Sequence, residues 1–170
     1  DSPFSNRDAS FKASGIEKIA KIYGKLVIFE QEKLIKDRNE NNKIIKNLIF
    51  PKIVKEVDLV INVPKLNTHS LVKYTGAIKN LYGFIPGGLK QRLHNKARGE
   101  EKFSELLIDI YQNIKPELNI MDAVVGMEGE GPSSGEAKKA GLILASKSAV
   151  ALDIACVKII EYEPHNILMI

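Results

Sequence analysis

The stretch "EVDLVINVPKLNTHSLVKYTGAIKNLYGFIPGG" (56–88) decides the fold. Its core, LVINV (59–63), is apolar except for Asn62, the habit of a strand covered on both faces rather than on one. Pro64 cannot donate to a sheet ladder, so the strand is expected to end there. Beyond Leu71 the apolar spacing predicts a helix to about Tyr82, despite Gly76, and "GFIPGG" (83–88) breaks it.

Working outward, the same alternation of apolar strands and amphipathic helices continues. Upstream, "RDASFKASGIEKIAKIYG" (7–24) has helical periodicity through Phe11, Ile16, Ile19 and Ile22, with Asp8 or Ser10 to cap its start and Gly24 its end. "KLVIFE" (25–30) reads as a buried strand, 31–43 as polar and turn-rich, and "IIKNLIF" (44–50) as a second strand. Downstream, "EKFSELLIDIYQNIK" (101–115) places Phe103, Leu106, Leu107, Ile110 and Ile114 on one helical face. "ELNIMDAVV" (117–125) and "LILAS" (142–146) read as strands joined by a glycine-rich loop. "SAVALDIACVKII" (148–160) reads as a helix capped by Ser148. This order predicts an α/β domain: a mixed, mostly parallel sheet with helices on both faces. The chain opens on Asp1 without an initiator methionine, so the expectation is a single α/β domain that is an incomplete piece of a larger protein.

Composition narrows the function classes. A 44% hydrophobic share and a net charge of +4 describe an ordinary globular chain without the dense basic face that nucleic acids require. No apolar run approaches the roughly 20 residues of a membrane span, and no signal peptide opens the chain. The expectation is a cytoplasmic protein whose partners are small anionic molecules, with neither nucleic acid nor membrane among them. The lone Cys156 sits in an apolar helical pattern and reads as a buried thiol.

In open α/β sheets, ligands gather where strands end, and the polar segments 64–70, 83–99 and 126–139 are the candidates. His69 is suited to acid–base work or to hydrogen bonding, against the plainer reading of a loop histidine bonded to a backbone carbonyl. Lys79, in "TGAIKN", can hold an anion or act as a nucleophile if desolvated; otherwise it is a surface lysine. Lys65, Asn67, Tyr74, Thr75, Asn80 and His94 complete the expected cleft wall. "GMEGEGPSSG" (126–135) is neither a P-loop nor a full G-x-G-x-x-G. Its Gly129 and Gly131 can expose backbone amides to an anion, and Asp122 and Glu128 can ligate a hard cation or orient a base. Asp153, inside a helix, reads as structural.

Taken together, "VINVPKLNTHSLVKYTGAIKNLYGFIPG", "LNIMDAVVGMEGEGPSSG", "LILASKSAVALDIA" and the opening "DSP" resemble the domain of unknown function 362 family. That resemblance implies iron–sulfur-linked redox chemistry, since many members carry ferredoxin-like 4Fe–4S modules. This chain lacks the cysteines for such a cluster, which would have to reside in further sequence or in an iron–sulfur protein partner. A more distant resemblance is to nickel-pincer lactate racemase-like enzymes. It runs through His69, "YTGAIK" ending at Lys79, Pro86–Gly87 and His94, and implies a catalytic histidine, a cofactor-tethering lysine and a metal-ligand histidine in that order. Ala77 and Ile78 depart from that pattern. A non-catalytic ligand-binding or docking module is the remaining alternative.

Overall fold

The computed structural model describes residues 7–132 and 134–170, with side chains from Phe11 onward. The opening "DSP" and the expected caps Asp8 and Ser10 lie outside what is described. Helices α1 (Arg7–Ser14) and α2 (Ile16–Tyr23) replace the single helix expected there. Gly15 stands between them at φ 72°, a left-handed conformation that ends a regular helical ladder. No strand forms over 25–30. Phe29 instead covers its apolar surface by stacking on Phe84, with ring centroids 5.5 Å apart, within a short 3-10 turn. The polar stretch that follows holds strand β1 (Leu34–Arg38), which pairs antiparallel with β2 (Asn47–Pro51) as a separate two-stranded sheet.

The main sheet is built from β3 (Ile61–Asn62), β4 (Lys65–His69), β5 (Lys73–Thr75), β6 (Leu118–Glu128) and β7 (Glu136–Ser146). Strand β6 is its axis, parallel to both β3 and β4 and antiparallel to β7, while β5 adds antiparallel to β4. Pro64 therefore interrupts the strand without ending it. Proline lacks an N–H but keeps its carbonyl, and Pro64 O accepts from Asp122 N at 2.9 Å, which holds the ladder across the break. For that reason 64–70, expected as a loop, is largely strand. The glycine-rich segment is likewise shorter than expected, since β6 and β7 extend into it and leave a hairpin turn at 129–135.

The remaining helices are α3 (Ala77–Asn80), α4 (Gly87–Lys96), α5 (Glu100–Ile114) and α6 (Ala149–Ile159). The expected helix after Leu71 starts only at Ala77, because 73–75 is drawn into the sheet as β5. Helix α6 packs on β6 and β7 and touches α3, which also reaches α5. On β6 the period of a strand sends Asn119, Met121 and Ala123 into this core. On the opposite face Ile61, Val63, Val124 and Ile143 remain exposed. Helix α5 buries the five apolar residues expected of it. Its Asp109 carboxylate accepts the amides of Lys43, Ile44 and Ile45 at 2.7–2.9 Å, which fastens the loop before β2.

Two buried polar arrangements lock α3 in place. Asp153 accepts from Ala77 N at 2.6 Å, Ile78 N at 3.0 Å and the Tyr74 hydroxyl at 2.9 Å. Burial pushes its carboxyl up to about 6 even against those three bonds. A chain of amides does the rest: Asn80 Nδ2 donates to Asn62, and Asn62 Nδ2 donates to Ala77 O and to Asn119. Gly76 is required at this point, since an added Cβ would stand 2.0 Å from the Tyr74 hydroxyl and 2.3 Å from Asp153 Oδ1. We expect Gly76→Ala and Asp153→Ala each to cost about 3 kcal/mol or more in chemical denaturation, and Tyr74→Phe only about 1 kcal/mol.

Candidate functional site

The strand-to-helix passage from β4 to α4 gathers His69, Lys79, Lys90 and His94. His69 lies at the end of β4, where its Nδ1 accepts the amides of Leu71 at 3.1 Å and Val72 at 3.3 Å. Those two bonds fix the tautomer: the neutral ring carries its proton on Nε2 and presents it as a donor. Burial, then the charges of Lys79 and His94, press the His69 pKa down to about 4, so the ring is neutral near pH 7. To act as a base or a metal ligand through Nε2, the ring would first have to give up these amide bonds.

Lys79 sits on α3 directly after the two residues whose amides Asp153 holds, so its position is inherited from that lock. Burial first, and then the charge of Lys90, lower its pKa to about 8. Among the described residues its side chain makes no hydrogen bond or ion pair. Lys90 is only 5% exposed, where a lysine is ordinarily solvated. Burial lowers it to about 8 as well, partly opposed by Glu30. Its ammonium lies 5.7 Å from the centre of the Tyr82 ring, whose hydroxyl donates to Lys90 O at 2.7 Å. His94 leans on Phe103 with ring centroids 5.0 Å apart, and Phe103 meets Tyr82 edge-on. The result is a cluster of two lysines and two histidines beside the Tyr82 and Phe103 rings, graded from buried Lys90 through half-buried His69 and Lys79 to exposed His94.

Lys90, Tyr82 and Phe103 were not among the expected site residues, although Phe103 was expected on the apolar face of its helix and Tyr82 at a helix end. One signal was available for Lys90: it precedes His94 by four residues on a helix, the spacing that puts two side chains on one face.

Of the other expected residues, Tyr74 is fully buried and gives its hydroxyl to Asp153, so it belongs to the core and not to the cleft wall. Asn80 and Thr75 are half-buried, the former tied into the asparagine chain and the latter paired with Asn67 across the sheet. Lys65 and Asp122 meet each other at 2.8 Å on the exposed sheet face. Glu128, Gly129 and Asn67 line a different concavity of about 510 Å³, between β4, the β6–β7 hairpin and the end of α6 at Ile159–Tyr162. There Glu128 pairs with Lys138 at 3.2 Å, and Asn67 Oδ1 is buried without a hydrogen-bond partner among the described residues. The loop glycines serve β4. Thr68 Oγ1 donates to Gly129 O at 2.8 Å, Ser70 N donates to Gly131 O at 3.0 Å, and an added Cβ at Gly131 would meet Thr68 O at 2.1 Å. The Gly131 amide is itself spent on Gly129 O at 2.8 Å. So His69, Lys79 and His94 come together, while Asp122 and Glu128 do not join them.

A 4Fe–4S cluster does not fit the donor set. The chain has one cysteine, fully buried, with its thiol pushed up to about 11 by that burial. Among the described residues no three His, Cys, Asp or Glu side chains are grouped to hold a metal ion, and no helix is long and apolar enough to cross a membrane.

The chain is similar to the thylakoid-associated protein of Synechocystis sp., 35% identical over 122 residues, which are 71% of this chain and 38% of that protein. It is also similar to translation initiation factor IF-3 of Borrelia duttonii and of Borrelia recurrentis, 35% identical over 128 residues, 74% of this chain and 59% of each factor. It thus spans under two thirds of the length of each of these relatives. No solved structure matches it. The sequence profile described as Domain of unknown function (DUF362) matches residues 1–158, and the chain belongs to that family.

Proposed function

We propose that this domain binds a small anionic ligand or cofactor in the cleft walled by His69, Lys79, Lys90 and His94. The observation that carries the reading is Lys79. Its ammonium is withdrawn from bulk water beside a second buried lysine, and no carboxylate among the described residues pairs with it. A lysine that is both desolvated and set beside another cation is costly to charge, and an anion at Lys79 relieves both terms, while Lys90 keeps its own interactions, the charge of Glu30 among them. His69 contributes an Nε2–H donor, and the Tyr82–Phe103 floor supplies a flat apolar surface for the rest of the ligand.

In a longer protein this cleft serves iron–sulfur-linked redox chemistry, with the cluster ligated outside these residues; the family resemblance is what supports that step. The second reading is a racemase- or isomerase-like enzyme, favoured by the nearness of His69, Lys79 and His94, the three positions that the racemase resemblance singles out. A covalently modified Lys79, seen by intact-mass analysis of the natively purified full-length protein, would select the second reading. Iron with acid-labile sulfide would select the first.

The binding claim is testable on this chain with orthophosphate and pyrophosphate as probes and acetate as control. Pyrophosphate should raise the thermal midpoint by several degrees, and Lys79→Met should remove that rise. The stabilisation should fade as pH rises through about 8, where both lysines lose charge. Equal stabilisation of Lys79→Met would place the anion elsewhere and overturn the reading.

A second expectation concerns the ligand-free chain. Lys79 and Lys90 bind fewer protons folded than unfolded between about 8 and their ordinary 10.5, so their charge opposes folding below that interval, and folding stability rises with pH across it. Lys79→Met should therefore raise the ligand-free midpoint at pH 7 by about 2–5 °C, as scanning calorimetry would show.

A further inference from the structure

Helix α2 places Ile16, Ile19, Ala20, Ile22 and Tyr23 on one continuous arc of about 160°, and Glu17, Lys18 and Lys21 on the other. Such an arc normally faces a core. Here none of the helix is buried, and Ile16, Ile19, Ile22 and Tyr23 are 53%, 56%, 60% and 82% exposed. Its chief neighbour is α1.

Charge distinguishes this stripe from the other uncovered apolar surface. Residues 7–25 carry five cations (Arg7, Lys12, Lys18, Lys21 and Lys25) against Asp8 and Glu17, a net +3 in a chain whose total is +4. The exposed sheet face around Ile61, Val63 and Ile143 instead holds a Lys65–Asp122 pair and is locally neutral. A neutral apolar face asks only for another apolar face. An aliphatic stripe set among lysines matches a surface that is apolar inside and anionic at its rim. In a bilayer the isoleucines enter the boundary of the acyl chains, the tyrosine ring settles at headgroup level, and Lys18 at the border of the stripe extends its stem to the phosphates. Lys21 stands on the far face, paired with Glu17 at 2.6 Å, and adds only long-range attraction.

Against the expectation from composition that no membrane is among the partners, we propose that α1–α2 is a peripheral membrane anchor that lays α2 flat on an anionic lipid bilayer through Ile16, Ile19, Ile22 and Tyr23. The inference is independent of the ligand proposed for the cleft. Two turns of helix bury little area, so the association is weak, reversible and dependent on the lysines.

The test is co-sedimentation of the full chain with extruded vesicles of phosphatidylcholine alone, or of equal parts phosphatidylcholine and phosphatidylglycerol. The chain should pellet with the anionic vesicles and not with the neutral ones, and less so as salt rises. Ile19→Asp, at an exposed position and with circular dichroism as the check that the fold is kept, should weaken binding about tenfold or more. Lys18→Glu with Lys21→Glu should weaken it as well. Three results would overturn the proposal: no preference for anionic vesicles, unchanged binding by Ile19→Asp, or a self-associated species in light scattering that Ile19→Asp dissociates. The last would assign the stripe to a second copy of the chain.

Discussion

The carboxylate of Asp153 is the constraint on which the rest of the molecule depends. It is buried in α6, yet its partners come from a segment some 75 residues earlier in the chain: the first two amides of α3 and the hydroxyl of Tyr74. A helix of one turn has almost no stability of its own, because nucleation costs more than one hydrogen bond returns. Helix α3 exists because a charged acceptor satisfies its opening amides and an asparagine chain holds its first carbonyl. Without those contacts Lys79 would have no fixed place beside His69.

The cleft is built against the grain of folding. A core with Phe103, Leu106 and Leu107 at hand could have been closed with aliphatic side chains. Instead it accepts two lysines whose ordinary protonation the site resists, and a histidine kept neutral by the same burial. Groups whose ionisation is displaced by desolvation and by like charge tend to mark sites of function. The geometry of His69 adds selectivity, since a ring that receives two amides on one nitrogen can only donate from the other.

Much of this was legible in the sequence wherever a local rule was strong enough to survive tertiary context. The amphipathic period of α5 and the serine cap of α6 are local, and both stand. The apolar run at 25–30 shows the opposite case: with no neighbouring strand to receive its backbone, a β-like composition is spent on an aromatic stack. Pro64 shows a rule applied too broadly, because a missing donor does not remove the acceptor. The burial of Lys90 is not legible, since a lysine's burial depends on what packs above it, and neither Tyr82 nor Phe103 announces that role. His69, Lys79 and His94 could be singled out by type and setting, but their nearness to one another is a property of the fold alone.

Strand β4 borders the hollow of about 510 Å³ and carries His69 at its end. Leu66 and Thr68 line the hollow beside the β6–β7 hairpin, while His69 feels the charges of Lys79 and His94. The hairpin turn is sewn to the residues on either side of that histidine, through Gly129 to Thr68 and through Gly131 to Ser70. A ligand that wedged the hairpin away from the sheet would have to break the two bonds that flank the imidazole, so the hollow and the histidine are joined through the same short piece of backbone.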